Sequence, residues 1–162
     1  MLALLRLAGL GICVATGLVS LAAPVYADEH AHKHEAQQAV PVLKPGQKWA
    51  SDEVLRQGMD NIRQAMLANR EAIETERLDS KDYRQLATVV SKETANIVKN
   101  CKLSKDADTA FHTIVLSDLM QSTELMQASP KAQVQRAGAF GVLQSLRHYG
   151  EYFQHPGWKV DK

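Results

Sequence analysis

Apolar side chains recur every three to four residues in four successive stretches of this chain, the repeat of a helix with one buried face. In the first stretch Leu55, Met59, Ile62, Met66 and Ile73 keep heptad spacing, and polar Asn69 fills the remaining slot. Ser51 precedes it as the expected N-cap, with Asp52 and Glu53 in the first turn, where the helix dipole favours acids. The second stretch starts near Asp79-Ser80 and carries Tyr83, Leu86, Val90, Ile97 and Cys101. The third starts near Ser104. Phe111, Val115, Leu119 and Met126 share one of its faces, and His112, Leu116 and Thr123 an adjoining one. Ser129-Pro130 opens the fourth, with Ser as N-cap and Pro at the first helical position. Ala139, Val142, Leu143, Leu146, Tyr149 and Phe153 form its stripe, and Pro156-Gly157 closes it.

Between Ser51 and Ser129 the sequence holds one glycine, Gly58, and no proline, which suits long helices and fits sheets poorly. The expected fold is all-α, an up-down-up-down four-helix bundle over residues 51–155 with short turns near residues 78, 103 and 129. Antiparallel pairing then sets Met59, Cys101 and His112 within about one helical turn of a common level. His155 and Trp158 fall at the same end.

The residues before the bundle read differently. Arg6 is followed by an uncharged run over residues 7–23, and Val25-Tyr26-Ala27 fits the small-x-small cleavage pattern. Residues 1–27 are expected to be a secretory signal peptide cut after Ala27. The uncharged run is at the short limit for a membrane-spanning helix, and Gly9, Gly11 and Gly17 dilute it. The processed protein is therefore expected in the periplasm, with no membrane association. Processing removes Cys13 and leaves Cys101 as the only thiol, so an internal disulfide cannot form.

Residues 28–50 are expected to form a flexible, His-rich tail and linker, and residues 156–162 a C-terminal tail. The tail begins Asp28-Glu29-His30-Ala31-His32-Lys33-His34-Glu35. Imidazole is a common ligand for copper, nickel and zinc. Cleavage after Ala27 would make His30 the third residue. A free amine at Asp28, two amide nitrogens and the His30 imidazole then supply a square-planar set of four nitrogens, which suits Cu(II) or Ni(II). At the bundle end, the Cys101 thiol, the Met59 thioether and the His112 and His155 imidazoles offer a softer set suited to Cu(I). Each has a plainer alternative, since Met59 and Cys101 lie on apolar stripes and His112 follows Phe111.

Lys and Arg number 19 against 18 Asp and Glu, a net charge of +1 that argues against a nucleic-acid partner. The sequence lacks CxxC, CxxCH, HExxH, GxSxG and a Gly-rich phosphate loop, and no enzymatic activity is expected. The expected function is periplasmic metal binding, with copper first and nickel or zinc as alternatives. The protein would bind, buffer or pass on the ion, its partners being the metal and another periplasmic metal-handling protein. Two rival classes are a b-type haem electron-transfer bundle and a helical interaction module with an incidental His tail.

The stretches KWASDEVLRQGMDNIRQAM, ANIVKNCKL, DADTAFH and YGEYFQHPGW resemble those of DnrO-like secreted proteobacterial proteins over most of residues 48–159. The resemblance implies a small periplasmic helical bundle with a His-rich leader. It points to Met59, Cys101, His112, His155 and Trp158 without assigning an activity. A weaker, architectural resemblance is to cytochrome b562, whose haem lies between a Met on the first helix and a His on the last. Met59 and His148 occupy comparable places, but His148 falls on a polar face with Gln144, Ser145, Glu151 and Tyr152, so haem is not the expected cofactor.

Overall fold

The computed structural model describes residues 42–159, and these are all-α. The expected signal peptide and the His-rich segment with Asp28, His30, His32 and His34 lie outside the described residues. Helix α1 spans Glu53–Ala68, α2 Arg70–Glu74, α3 Ser80–Asn100, α4 Lys105–Phe111, α5 Ser117–Ala128 and α6 Ala132–Tyr152. A π-helical turn, His112–Leu116, joins α4 to α5. Helix α1 packs on α3 and α6, α3 packs on α5 and α6, and α5 packs on α6. None of the described helices is long and apolar enough to cross a membrane.

The helix starts follow from side chains that satisfy free backbone N–H groups. The cap of α1 is Asp52 rather than the expected Ser51. Its carboxylate accepts from Leu55 N at 2.7 Å and also from Lys102 N at 2.5 Å, tying the start of α1 to the end of α3. Asp79 and Asp82 form a reciprocal capping box on α3, and Ser104 caps α4 as expected. The expected Ser129 cap is not made. Helix α6 starts after Lys131, and the Ser129 hydroxyl instead accepts from Lys131 N at 3.2 Å in a local turn.

The first helical stretch is interrupted at Asn69, whose side chain donates to Ala65 O at 2.9 Å and competes with the helix ladder. Arg136 of α6 braces the end of α2, donating from Nε to Ile73 O at 2.8 Å and from Nη2 to Glu74 O at 2.9 Å. Its third nitrogen pairs with Glu76, which sits at φ 58, at 2.9 Å.

The residues entering α1 are fastened to the far end of α6. Trp49 N donates to Tyr152 O and Gln154 N donates to Trp49 O, both at 2.8 Å, forming an isolated parallel bridge with Phe153. Lys48 Nζ donates to Gly150 O, and Ser51 Oγ to Gln154 O. The starts of α1 and α4 and the ends of α3 and α6 thus gather at one end of the helical body.

Candidate functional site

The residues with the most elaborate polar arrangement lie at this end. A turn through Pro156-Gly157, with Gly157 at φ 82 and Trp158 N donating to His155 O at 3.1 Å, folds the chain back after α6. It brings the His155 and Trp158 rings against Tyr149, with centroid separations of 5.7 and 4.9 Å. Tyr149 also stacks on Phe153 at 5.5 Å with the rings nearly parallel, and Phe153 meets Phe111 edge-on at 5.8 Å.

The His155 side chain is 6% exposed, and both ring nitrogens are engaged. Nε2 lies 3.1 Å from Asp60 Oδ2, and Nδ1 lies 3.0 Å from the Tyr149 hydroxyl. A carboxylate only accepts, so with a neutral imidazole Nε2–H donates to Asp60 and Nδ1 accepts from the phenol. Burial pushes the Tyr149 phenol well above its ordinary range. The Asp60 and Asp52 carboxylates add to the shift, while Ser51 and Arg56 pull against it. The phenol therefore stays protonated and remains a donor. Asp60 and the Tyr149 hydroxyl do not stand out in the sequence analysis. The available signal was the tyrosine itself, since a phenol on a core stripe needs a hydrogen-bond partner.

The other residues singled out from the sequence occupy three different settings. Met59 is fully enclosed in the core. Cys101, the C-cap of α3, is a free, half-buried thiol packed against the core. Burial first, then the Asp52 and Asp108 carboxylates, push its pKa above the ordinary value, so the neutral thiol is favoured. The same two carboxylates would favour a bound cation. His112 has a side chain 54% exposed and lies 3.8 Å from Asp108 on the outer surface. Among the described residues, no three His, Cys, Asp or Glu side chains converge on a common position for a metal ion.

Tyr83 is also buried, and burial is the main reason its phenol lies above the ordinary value. Both phenols should make the fold sensitive to alkali. Unfolded tyrosine ionises near pH 10, before either buried phenol does. Their contribution to stability is complete below about pH 10. It falls as the pH rises above that, by up to about 1.4 kcal/mol per unit for each phenol. Urea melts at increasing pH, with tyrosinate absorbance followed in parallel, should show stability dropping as both phenols ionise on unfolding. Early ionisation of all tyrosines in the folded protein would contradict this burial.

No family model, no curated protein and no solved structure matches the chain.

Proposed function

We propose that the chain is a periplasmic metal-binding protein, with copper as its first ion, that captures the metal on its His-rich leader and buffers it or passes it on without catalysing a reaction. The observation that carries this reading is the run of His30, His32 and His34 behind Asp28, with His30 third after the expected cleavage. In this reading the leader is flexible and the helical body is an up-down-up-down four-helix bundle. The neighbour relations of α1 with α3 and α6, and of α5 with α3 and α6, support that topology.

The metal work falls on the leader rather than on a preformed centre in the body. Met59 is closed in the core, His155 has both nitrogens engaged, and His112 faces outward. Of that group Cys101 offers a soft donor nearest the surface, beside two carboxylates. It suits a receiving position for an ion delivered from the leader or from a partner, since a coordinating thiol gives up its proton to the metal.

Titration of the processed protein with Cu(II), followed by visible absorption and circular dichroism, tests the proposal. One equivalent should bind with the spectrum of a square-planar nitrogen set. His30→Ala, or a single extra residue ahead of Asp28, should abolish that spectrum, while His32 and His34 retain a weaker second equivalent. A titration indifferent to both changes would overturn the third-position site.

A further inference from the structure

Beyond Gln154 the chain changes its mode of attachment. Up to that residue the exit of α6 is fastened through backbone atoms, Gln154 N donating to Trp49 O at 2.8 Å and Ser51 Oγ donating to Gln154 O. Over residues 155–159 the backbone hydrogen bond is the one from Trp158 N to His155 O, which closes the Pro156-Gly157 turn on itself. Side chains tie these residues to the helical body. His155 Nε2 reaches Asp60 of α1 at 3.1 Å, Trp158 packs on Tyr149 at 4.9 Å, and the Arg63 guanidinium of α1 lies over the Trp158 ring at 5.1 Å. Between His155 and Trp158, Pro156 and Gly157 are exposed, and a Cβ added at Gly157 would meet nothing within 4 Å. Trp158 is half-buried and walls a recess of about 110 Å³ between α1 and α6, whose apolar lining includes Leu67, Phe140, Leu143 and Leu146.

We propose that residues 155–159 form a hinged strap, rooted at Gln154, that closes the seam between α1 and α6 and swings open as a unit while the helices stay folded. The catch is the hydrogen bond from His155 to the Asp60 carboxylate, which crosses from the end of α6 to α1. The second His155 bond, to the Tyr149 hydroxyl, returns to α6 and is released in the same motion. The Asp60 side chain is 37% exposed, so water takes over its carboxylate when the imidazole leaves. Swinging out breaks no helical hydrogen bond and leaves the bridge between Trp49 and Phe153 in place. The step therefore needs less free energy than global unfolding. The closed form is the major one, because opening wets the Trp158 ring and the Tyr149 and Leu146 surfaces beside it. With the strap out, the small recess becomes an open apolar groove along α1 and α6, so the strap is its lid. The device is separate from the leader and from Cys101, and it stands or falls independently of the copper reading.

Native-state amide hydrogen exchange on the metal-free protein, followed by NMR at low urea concentrations, is the test. The Trp158 amide should exchange faster than the Val90 and Ile97 amides inside α3, and its rate should be nearly independent of urea, as for a local opening. Asp60→Ala should speed Trp158 exchange by about tenfold or more, the effect of losing a hydrogen bond to a charged group. Exchange in α3 should rise by no more than the same factor, because the closed form is the common reference state. Asp60→Asn keeps an acceptor for Nε2–H and should stay nearer the unaltered protein. Trp158 exchange that shares the rate and urea dependence of α3 would overturn the proposal, since the strap would then open only with the whole body. Trp158 exchange untouched by Asp60→Ala would also overturn it, because the turn would then fray without releasing His155.

Discussion

Replacing Tyr149 with alanine is expected to destabilise the helical body by about 3–5 kcal/mol, a large share of the roughly 5–15 kcal/mol that holds such a domain folded. Tyr149 is fully buried and meets three other rings of the end cluster, those of Phe153, His155 and Trp158. Truncation opens a cavity among these rings and also strips the buried His155 Nδ1 of its donor. Tyr149→Phe separates the two effects. It keeps the ring and should cost about 1–3 kcal/mol, the penalty of leaving a buried polar atom unsatisfied. Urea denaturation of the two variants measures both values. An alanine cost under about 1 kcal/mol would show that the surroundings close over the vacancy, contrary to the dense packing described.

Gly138→Ala is expected to destabilise by about 2 kcal/mol, lowering the melting temperature by roughly 5–10 °C, although alanine favours helix over glycine by about 1 kcal/mol. A Cβ at Gly138 would lie 2.6 Å from Ser122 O, and 3.0 Å from both Leu125 Cβ and Met126 Cγ. The first of these is backbone, so the contact can be relieved only by moving α5 away from α6. Gly141, one turn later, approaches the same residue, and a Cβ added there would fall 2.2 Å from Ser122 Oγ. The contrast is Gly58, where an added Cβ meets the Ile97 side chain at 2.5 and 2.7 Å. A side chain can shift where a carbonyl cannot, so Gly58→Ala should cost less than Gly138→Ala. Thermal melts that ranked the two in the opposite order, or showed Gly138→Ala to be stabilising, would contradict the close approach of α5 and α6.

Most of the helical core was legible because its periodicity is strong. Leu55, Met59, Ile62, Met66 and Ile73 are buried as their spacing predicts, as are Tyr83, Leu86, Val90 and Ile97 and the Ala139-to-Phe153 stripe, Leu143 being only partly covered. The third stretch departed from the simple pattern at the π-turn. Regular helix advances about 100° per residue, and the wider turn over His112–Leu116 changes that phase. Leu116 and Thr123 are accordingly buried, whereas His112, expected on their face, points outward. The misplaced caps have a local cause. Ser51 and Asp52 are both competent, and Asp52 is the one that reaches Leu55 N and Lys102 N together.

The polar site was less legible because its members are distant in sequence. His155 and Asp60 are 95 residues apart, and no spacing rule joins them. Height along the helices correctly placed Cys101 and His155 toward the end where α1 begins. It carried no information on rotation about each helix axis, and rotation decides whether donors meet. The same holds for Gln135, fully buried in α6, which donates to Met126 O at 2.9 Å across the turn before its own helix. A polar residue on an apolar face reveals its partner only once the neighbouring backbone is in place.

The copper reading meets its most direct test in elemental analysis of the protein recovered, without added metal, from the periplasm of its own host. Copper at about one equivalent per chain, lost when His30, His32 and His34 are replaced together, is the predicted result. Protein free of copper, nickel and zinc, with the three histidines intact and the amino terminus at Asp28, would contradict it.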